Sequence, residues 1–193
     1  MNLDSYVLKV CTAIAVTLIG FAAIACTGPS GDDQPTPVLS SAPSTTFPMP
    51  PVKPNQDMGW VLSDGARSHL ANHAEKVLVL DFYATWCLPC RQSIPHLASM
   101  QDRLGTRGLQ VVGLNVGGAD DRVKVAAFAS ELNIRYPLGF PDKSLSDFFL
   151  SDDQTIPQTF VFGRNGKLIK RFIGYDRSIG TELEKTIQAA LEK

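Results

Sequence analysis

The sequence predicts an α/β domain, a central sheet flanked by helices. Three observations carry that expectation. From about Trp60 onward, apolar β-type runs alternate with stretches of helical pattern. Two runs, residues 76–84 (KVLVLDFYA) and 109–118 (LQVVGLNVGG), are almost continuously apolar, as strands buried on both faces are. Near the end, two apolar runs flank an Arg-Asn-Gly turn, the signature of a β-hairpin, and a last helix follows.

Taken in order, WVLSDG from Trp60 is a short strand ending in a turn, and residues 66–74 (ARSHLANHA) are predicted as a short helix. The strand over 76–84 leads into a helix over 89–108, with Gly105 and Gly108 as stop signals. After the strand at 109–118, residues 120–134 (DDRVKVAAFASELNI) are predicted as one amphipathic helix. There Val123, Ala127, Phe128 and Leu132 share a face and Asp120 is the N-cap. An extended piece at 136–142, a short helix at 143–151, the hairpin over 158–175 and a helix over 180–193 complete the domain.

The first 57 residues differ. An uncharged apolar run, residues 10–26, would reach about 26 Å as a helix, short of the roughly 30 Å hydrocarbon core. A secretory signal fits it better. Its end, AIAC, resembles the lipobox of bacterial lipoproteins, which implies lipidation of Cys26; an uncleaved transmembrane anchor is the alternative. Residues 27–57 hold eight of the 13 prolines with many Ser and Thr, too little apolar surface to offset ordering, and are expected to be an extended tether. The layout is thus a signal or anchor (1–26), a tether (27–57) and a domain (58–193), held extracytoplasmically at a membrane. A net charge of −1, from 18 basic and 19 acidic residues without a basic block, argues against a nucleic-acid partner.

Cys87 and Cys90 lie in WCLPC, where the buried strand gives way to the helix. A zinc site would need about four ligands, with His69 and His73 joining the two cysteines, and the HExxH pattern is absent. A structural bridge over so short a loop would restrain little of the unfolded chain. Redox exchange suits the position. A thiol at a helix N-terminus is favoured as thiolate, Pro89 fits a first turn, and Cys90 one turn on becomes the shielded resolving thiol.

DFYATWCLPC resembles the active site of the thioredoxin superfamily, and residues 60–193 resemble its membrane-anchored TlpA/ResA type. Trp86 precedes the first cysteine, and Pro95 falls five residues after the second. TIPQTF sets Pro157 at the family's cis-proline, and RNGKLIKRFIGY resembles the terminal hairpin. The resemblance implies a thioredoxin-like fold, a mixed sheet flanked by helices with the extra βα insertion of that type in 111–150. It implies a Cys87–Cys90 redox disulfide and no other cofactor. It sets Pro157 beside the pair and places Trp86, Pro89 and Ile156 at the client-binding surface. It further implies extracytoplasmic protein thiols and disulfides as partners, apocytochrome c cysteines among them, and a transmembrane thiol electron donor.

Two positions depart from the pattern. Asp81, six residues before Cys87, stands where the TlpA/ResA type usually has Asn. A buried carboxyl there would accept the Cys90 proton. Ser93 stands where many ResA-type proteins have Glu, so that residue's role does not carry over. Two other functions share the fold, a peroxiredoxin-like thiol peroxidase and a tethered non-catalytic binding module. Arg91 either favours the thiolate or is solvated, and His96 is expected to be exposed.

Overall fold

A computed structural model describes residues 58–193. Cys26, the signal or anchor segment and the tether lie outside the described residues. The strands are β1 (Gly59–Leu62), β2 (Arg67–His69), β3 (Val77–Tyr83), β4 (Leu109–Asn115), β5 (Leu138–Pro141), β6 (Gln158–Phe162) and β7 (Leu168–Ile173). They form one mixed sheet in the order β2-β1-β5-β4-β3-β6-β7. β3, β4 and β5 run parallel, while β6 pairs antiparallel with β3 and with β7. All seven residues of β3 are buried, as its unbroken apolar run requires.

The helices are α1 (Leu88–Leu104), α2 (Ala119–Arg122), α3 (Val125–Glu131), α4 (Lys143–Phe149) and α5 (Arg177–Leu191). α1 buries Cys90, Ser93, Ile94, Leu97, Met100 and Leu104, a stripe at three- and four-residue spacing. Ile94, Leu97 and Met100 are fully buried, worth about 1.5–3 kcal/mol each in apolar burial. Pro95 sits inside this helix on its exposed side. α5 starts at Asp176, whose carboxylate accepts the Ile179 N–H at 2.8 Å.

Strand alternation separates two cores. Val79 and Tyr83 face a layer containing Ile94, Leu97, Phe128, Leu183 and Ile187. Leu78, Leu80 and Phe82 face the other way, toward Trp60, Leu145, Phe149, Phe160 and Phe162.

Two predicted elements take a different form. In place of a helix over 66–74, β2 pairs with β1 (Trp60 opposite Ser68) and only Leu70–His73 coil, as a 3-10 turn. Ladder pairing outweighs a weak local helical preference. Residues 120–134 form two helices rather than one. The cap is Gly118, at φ 90°, and Asp120 lies inside α2. Val123, expected on the apolar face, is 80% exposed at the break. The reason is its neighbour Asp121, whose carboxylate turns inward to polar partners described below, while Val125 and Phe128 supply the buried contacts.

Candidate active site

β3 ends at Tyr83, and four residues later Cys87 caps α1. Its backbone is extended, and its Sγ accepts the Cys90 N–H at 3.2 Å. An N–H and a helix N-terminus aimed at that sulfur both favour negative charge on it. Pro89 sits in the first turn, where a missing N–H costs nothing. Cys87 and Cys90 are joined as a disulfide. Cys87 is 4% exposed and Cys90 not at all, an asymmetry that suits an attacking and a shielded sulfur.

Across from the pair, the Ile156–Pro157 bond is cis, as the resemblance implies. The Ile156 carbonyl oxygen lies 3.7 Å from Cys87 Sγ, and the Pro157 carbonyl is held by the Gly174 N–H at 2.8 Å. Pro157 is buried and Ile156 half-buried. Around the site stand exposed apolar groups. Trp86 (66% exposed), Pro89 and Leu88 (68%) are all exposed, and Leu88 was not singled out by its sequence context.

Asp81 is fully buried on the same side of β3 as Val79 and Tyr83, the side covered by α1 and Cys90. Thr159, its partner in the β3–β6 register, donates its hydroxyl to Oδ1 at 2.8 Å, and Oδ2 has no partner. Burial pushes the carboxyl up to about 7, with the Thr159 hydrogen bond offsetting only part of that.

A second buried carboxylate, Asp121, holds the loop before Cys87. Its oxygens accept the Thr85 N–H (2.9 Å), the Thr85 hydroxyl and the Asn115 amide (2.7 Å). Burial raises this carboxyl, but the bonds from Asn115 and Thr85 outweigh burial and hold it below the usual range. Arg91 pairs with Glu131, reaches the Thr85 carbonyl at 3.4 Å and lies over the Phe128 ring. His96 is not simply exposed. It is half-buried, bonded to Tyr175 Oη (3.0 Å) and Glu184 (3.2 Å) between α1 and α5. Ser93 is buried and donates to the Cys90 carbonyl.

His73 stacks on Trp60 and shares a hydrogen bond with Ser68, and the two cysteines are bonded to each other. No group of three or more metal-ligating side chains stands together among the described residues.

The AhpC/TSA family model matches residues 42–171, more than half of the chain. The chain belongs to that family. It is 29% identical over 118 residues to the thiol-disulfide oxidoreductase ResA of Bacillus subtilis, a match covering 60% of this chain and 64% of that protein. Against the ResA of Geobacillus thermodenitrificans the identity is 28%, and 66% of that protein is covered, so the chain spans just under two thirds of these relatives. A Chlorobium tepidum chain provisionally assigned as thiol:disulfide interchange protein DsbE superimposes with a TM-score of 0.62 at 28% identity, covering 69% of this chain and 92% of that one. The thioredoxin-like fold predicted from the sequence is the fold observed.

Proposed function

We propose that this protein is an extracytoplasmic, membrane-anchored thiol–disulfide oxidoreductase that reduces protein disulfides through Cys87 and Cys90. The observation that carries the proposal is the bonded pair at the start of α1, flanked by cis Pro157 and backed by buried Asp81. The names of the ResA relatives support it.

In the forward cycle the Cys87 thiolate attacks one sulfur of a client disulfide. The client S–S bond breaks, a Cys87–client bond forms, and the displaced thiolate takes a proton from solvent. Cys90 gives its thiol proton to Asp81 and, as thiolate, attacks Cys87 Sγ. The Cys87–Cys90 bond forms and the second client sulfur leaves, so the client has gained two electrons. A transmembrane thiol donor then returns two electrons to the pair. Trp86, Leu88, Pro89 and Ile156 offer apolar contact to the client beside the sulfur under attack. The client class is extracytoplasmic protein disulfides, including those between the haem-binding cysteines of apocytochromes c.

The deciding measurement is the reduction potential of the pair against defined thiol–disulfide buffers. A value near the ~−270 mV of thioredoxin fits a reductase, and one near ~−120 mV reverses the direction of electron flow. Cys87→Ser is expected to abolish disulfide reduction, and retained function in that variant would establish a binding module instead. Anchoring at Cys26 is tested by palmitate labelling of cells, where label that survives Cys26→Ala rules out the lipoprotein form.

A further inference from the structure

Residues 150–157 run from α4 to β6 with neither helix nor strand, and none of the residues between Leu150 and Pro157 is buried. Such a segment has no apolar anchor, so polar ties must fix its path. Its far end matters to the chemistry, because it brings the Ile156 carbonyl oxygen to 3.7 Å from Cys87 Sγ. Among the described residues nothing accepts the Ile156 N–H.

The ties converge on one guanidinium. Arg171 lies on β7, an edge strand, where a charged side chain ordinarily extends into water. Here only 12% of the side chain is exposed. Arg171 stands opposite Phe160 in the β6–β7 register, and its guanidinium carbon lies 5.5 Å from the centre of that ring. Nη1 donates to both carboxylate oxygens of Asp152, at 3.0 and 2.7 Å, and Nε donates to Gln158 Oε1 at 2.8 Å. The fully buried Gln158 extends the tie, giving its amide to the Asp153 carbonyl at 2.7 Å. The Asp153 carboxylate in turn accepts the Thr155 N–H at 2.7 Å. Hydrogen bonds from Arg171 hold the Asp152 carboxyl below the usual carboxylate range, so the pair stays ionised at neutral pH. A bare surface ion pair would be worth little, but a guanidinium fixed over a ring and shared between two acceptors orients what it binds.

We propose that Arg171, with Gln158, is a positioning residue for client recognition: it fixes residues 152–156 so that the Ile156 backbone stands beside Cys87 as an edge on which an extended client peptide pairs. The proposal rests on the oxidoreductase reading and adds a choice of substrate to it. A disulfide inside a polypeptide can use that edge, through hydrogen bonds from its own backbone. A small disulfide has no backbone to offer and meets only the sulfur. Arg171 reaches the client only through the loop it holds.

The test uses the full chain, reduced, with Arg171→Met, Arg171→Lys, Asp152→Ala and the double variant Arg171→Met with Asp152→Ala. Methionine keeps an apolar chain over Phe160, and the Asp152 side chain is 50% exposed, so neither change opens the core. Stopped flow gives the second-order rate constants toward a short peptide with one internal disulfide and toward hydroxyethyl disulfide. The ratio of the two should fall about tenfold in Arg171→Met and in Asp152→Ala, through loss of the peptide rate alone. It should fall by an intermediate factor in Arg171→Lys, which keeps the charge without the fork. The double variant should match the single ones, because both act through one tie. An unchanged ratio overturns the proposal, as does a double variant whose loss is the product of the two single losses. Exchange of the Thr155 and Gly174 amides, read by NMR on the oxidised protein without a client, should quicken about tenfold in the same variants, and unchanged exchange also overturns it. A wild-type protein that reduces neither disulfide fails the oxidoreductase reading, and the exchange rates still decide whether Arg171 fixes the loop.

Discussion

The two faces of the sheet are built from the same strands and could hardly differ more in content. One face is hydrocarbon and aromatic. Phe82, Phe149, Phe160 and Phe162 stack edge and tilt against one another over Leu78 and Leu80. The other face mixes its apolar residues with Asp81, Tyr83, Tyr136 and Thr159, and it carries the cysteine pair. Strand alternation makes this division cheap to build, since each residue of β3 is assigned to a face by parity alone. The aromatic face supplies stability with few polar groups to satisfy, Gln158 and the Trp60 indole N–H among them, and the α1 face holds the polar groups whose burial costs stability and tunes chemistry.

Changes to the aromatic face should therefore alter stability and leave redox chemistry alone. Phe149 is 2% exposed and touches four other phenylalanines. Phe149→Ala should cost about 3–5 kcal/mol. Urea unfolding measures the loss, and the reduction potential of the pair should stay at the wild-type value. A shift in potential as large as the stability change would erase the division between the faces.

On the α1 face the expected change has the opposite sign. The Asp81 carboxyl is raised from 3.8 to about 7 in the folded protein. Between those pH values the native state holds a proton that the unfolded chain has lost, so stability falls as pH rises through that window and stays low above it. The span corresponds to something on the order of 4 kcal/mol. Asp81→Asn should remove this dependence, making the oxidised protein more stable than wild type at pH 8 and equal to it near pH 4. It should also slow resolution of the mixed disulfide while the first attack proceeds. Equal denaturant midpoints of the two proteins at pH 8 would mean that the carboxyl is not strained by burial.

The division was partly legible in the sequence. The run VLVLDFY announces a buried strand, and WCLPC after it locates the chemistry, because both signals are local. Asp81 stood out through the resemblance, as a departure from the Asn usual at that position. Its partner Thr159 did not, since their meeting depends on the register of two strands far apart in sequence. β2 went unrecognised for a related reason, because only its pairing with β1 makes three residues a strand. The segment after β4 misled most. Asp120, at the start of an amphipathic stretch, reads as a cap, yet Gly118 caps α2, the next residue Asp121 is 2% exposed and Val123 lies outside. Nothing within that segment shows that Thr85 and Asn115 will present donors to it.

Asp121 offers the smallest and sharpest contrast, since it is a second buried carboxylate on the same face with the opposite titration. Asp81 has one donor and a free oxygen, so burial wins. Asp121 has three donors, so hydrogen bonding wins and its carboxyl is lowered. Its contribution to stability is present above the unfolded carboxyl range and is lost as pH falls through its depressed folded value. Asp121→Asn leaves one acceptor oxygen where two stood and sets an amide N–H against a donor. The cost should be about 1–3 kcal/mol at pH 7 and should shrink toward acid pH, where the wild-type carboxylate is itself protonated. Denaturant melts of both proteins at pH 7 and pH 3 measure it. A gap of the same size at both pH values would show that Asp121 holds the Thr85 loop by shape rather than by charge, and would remove the contrast between the two aspartates.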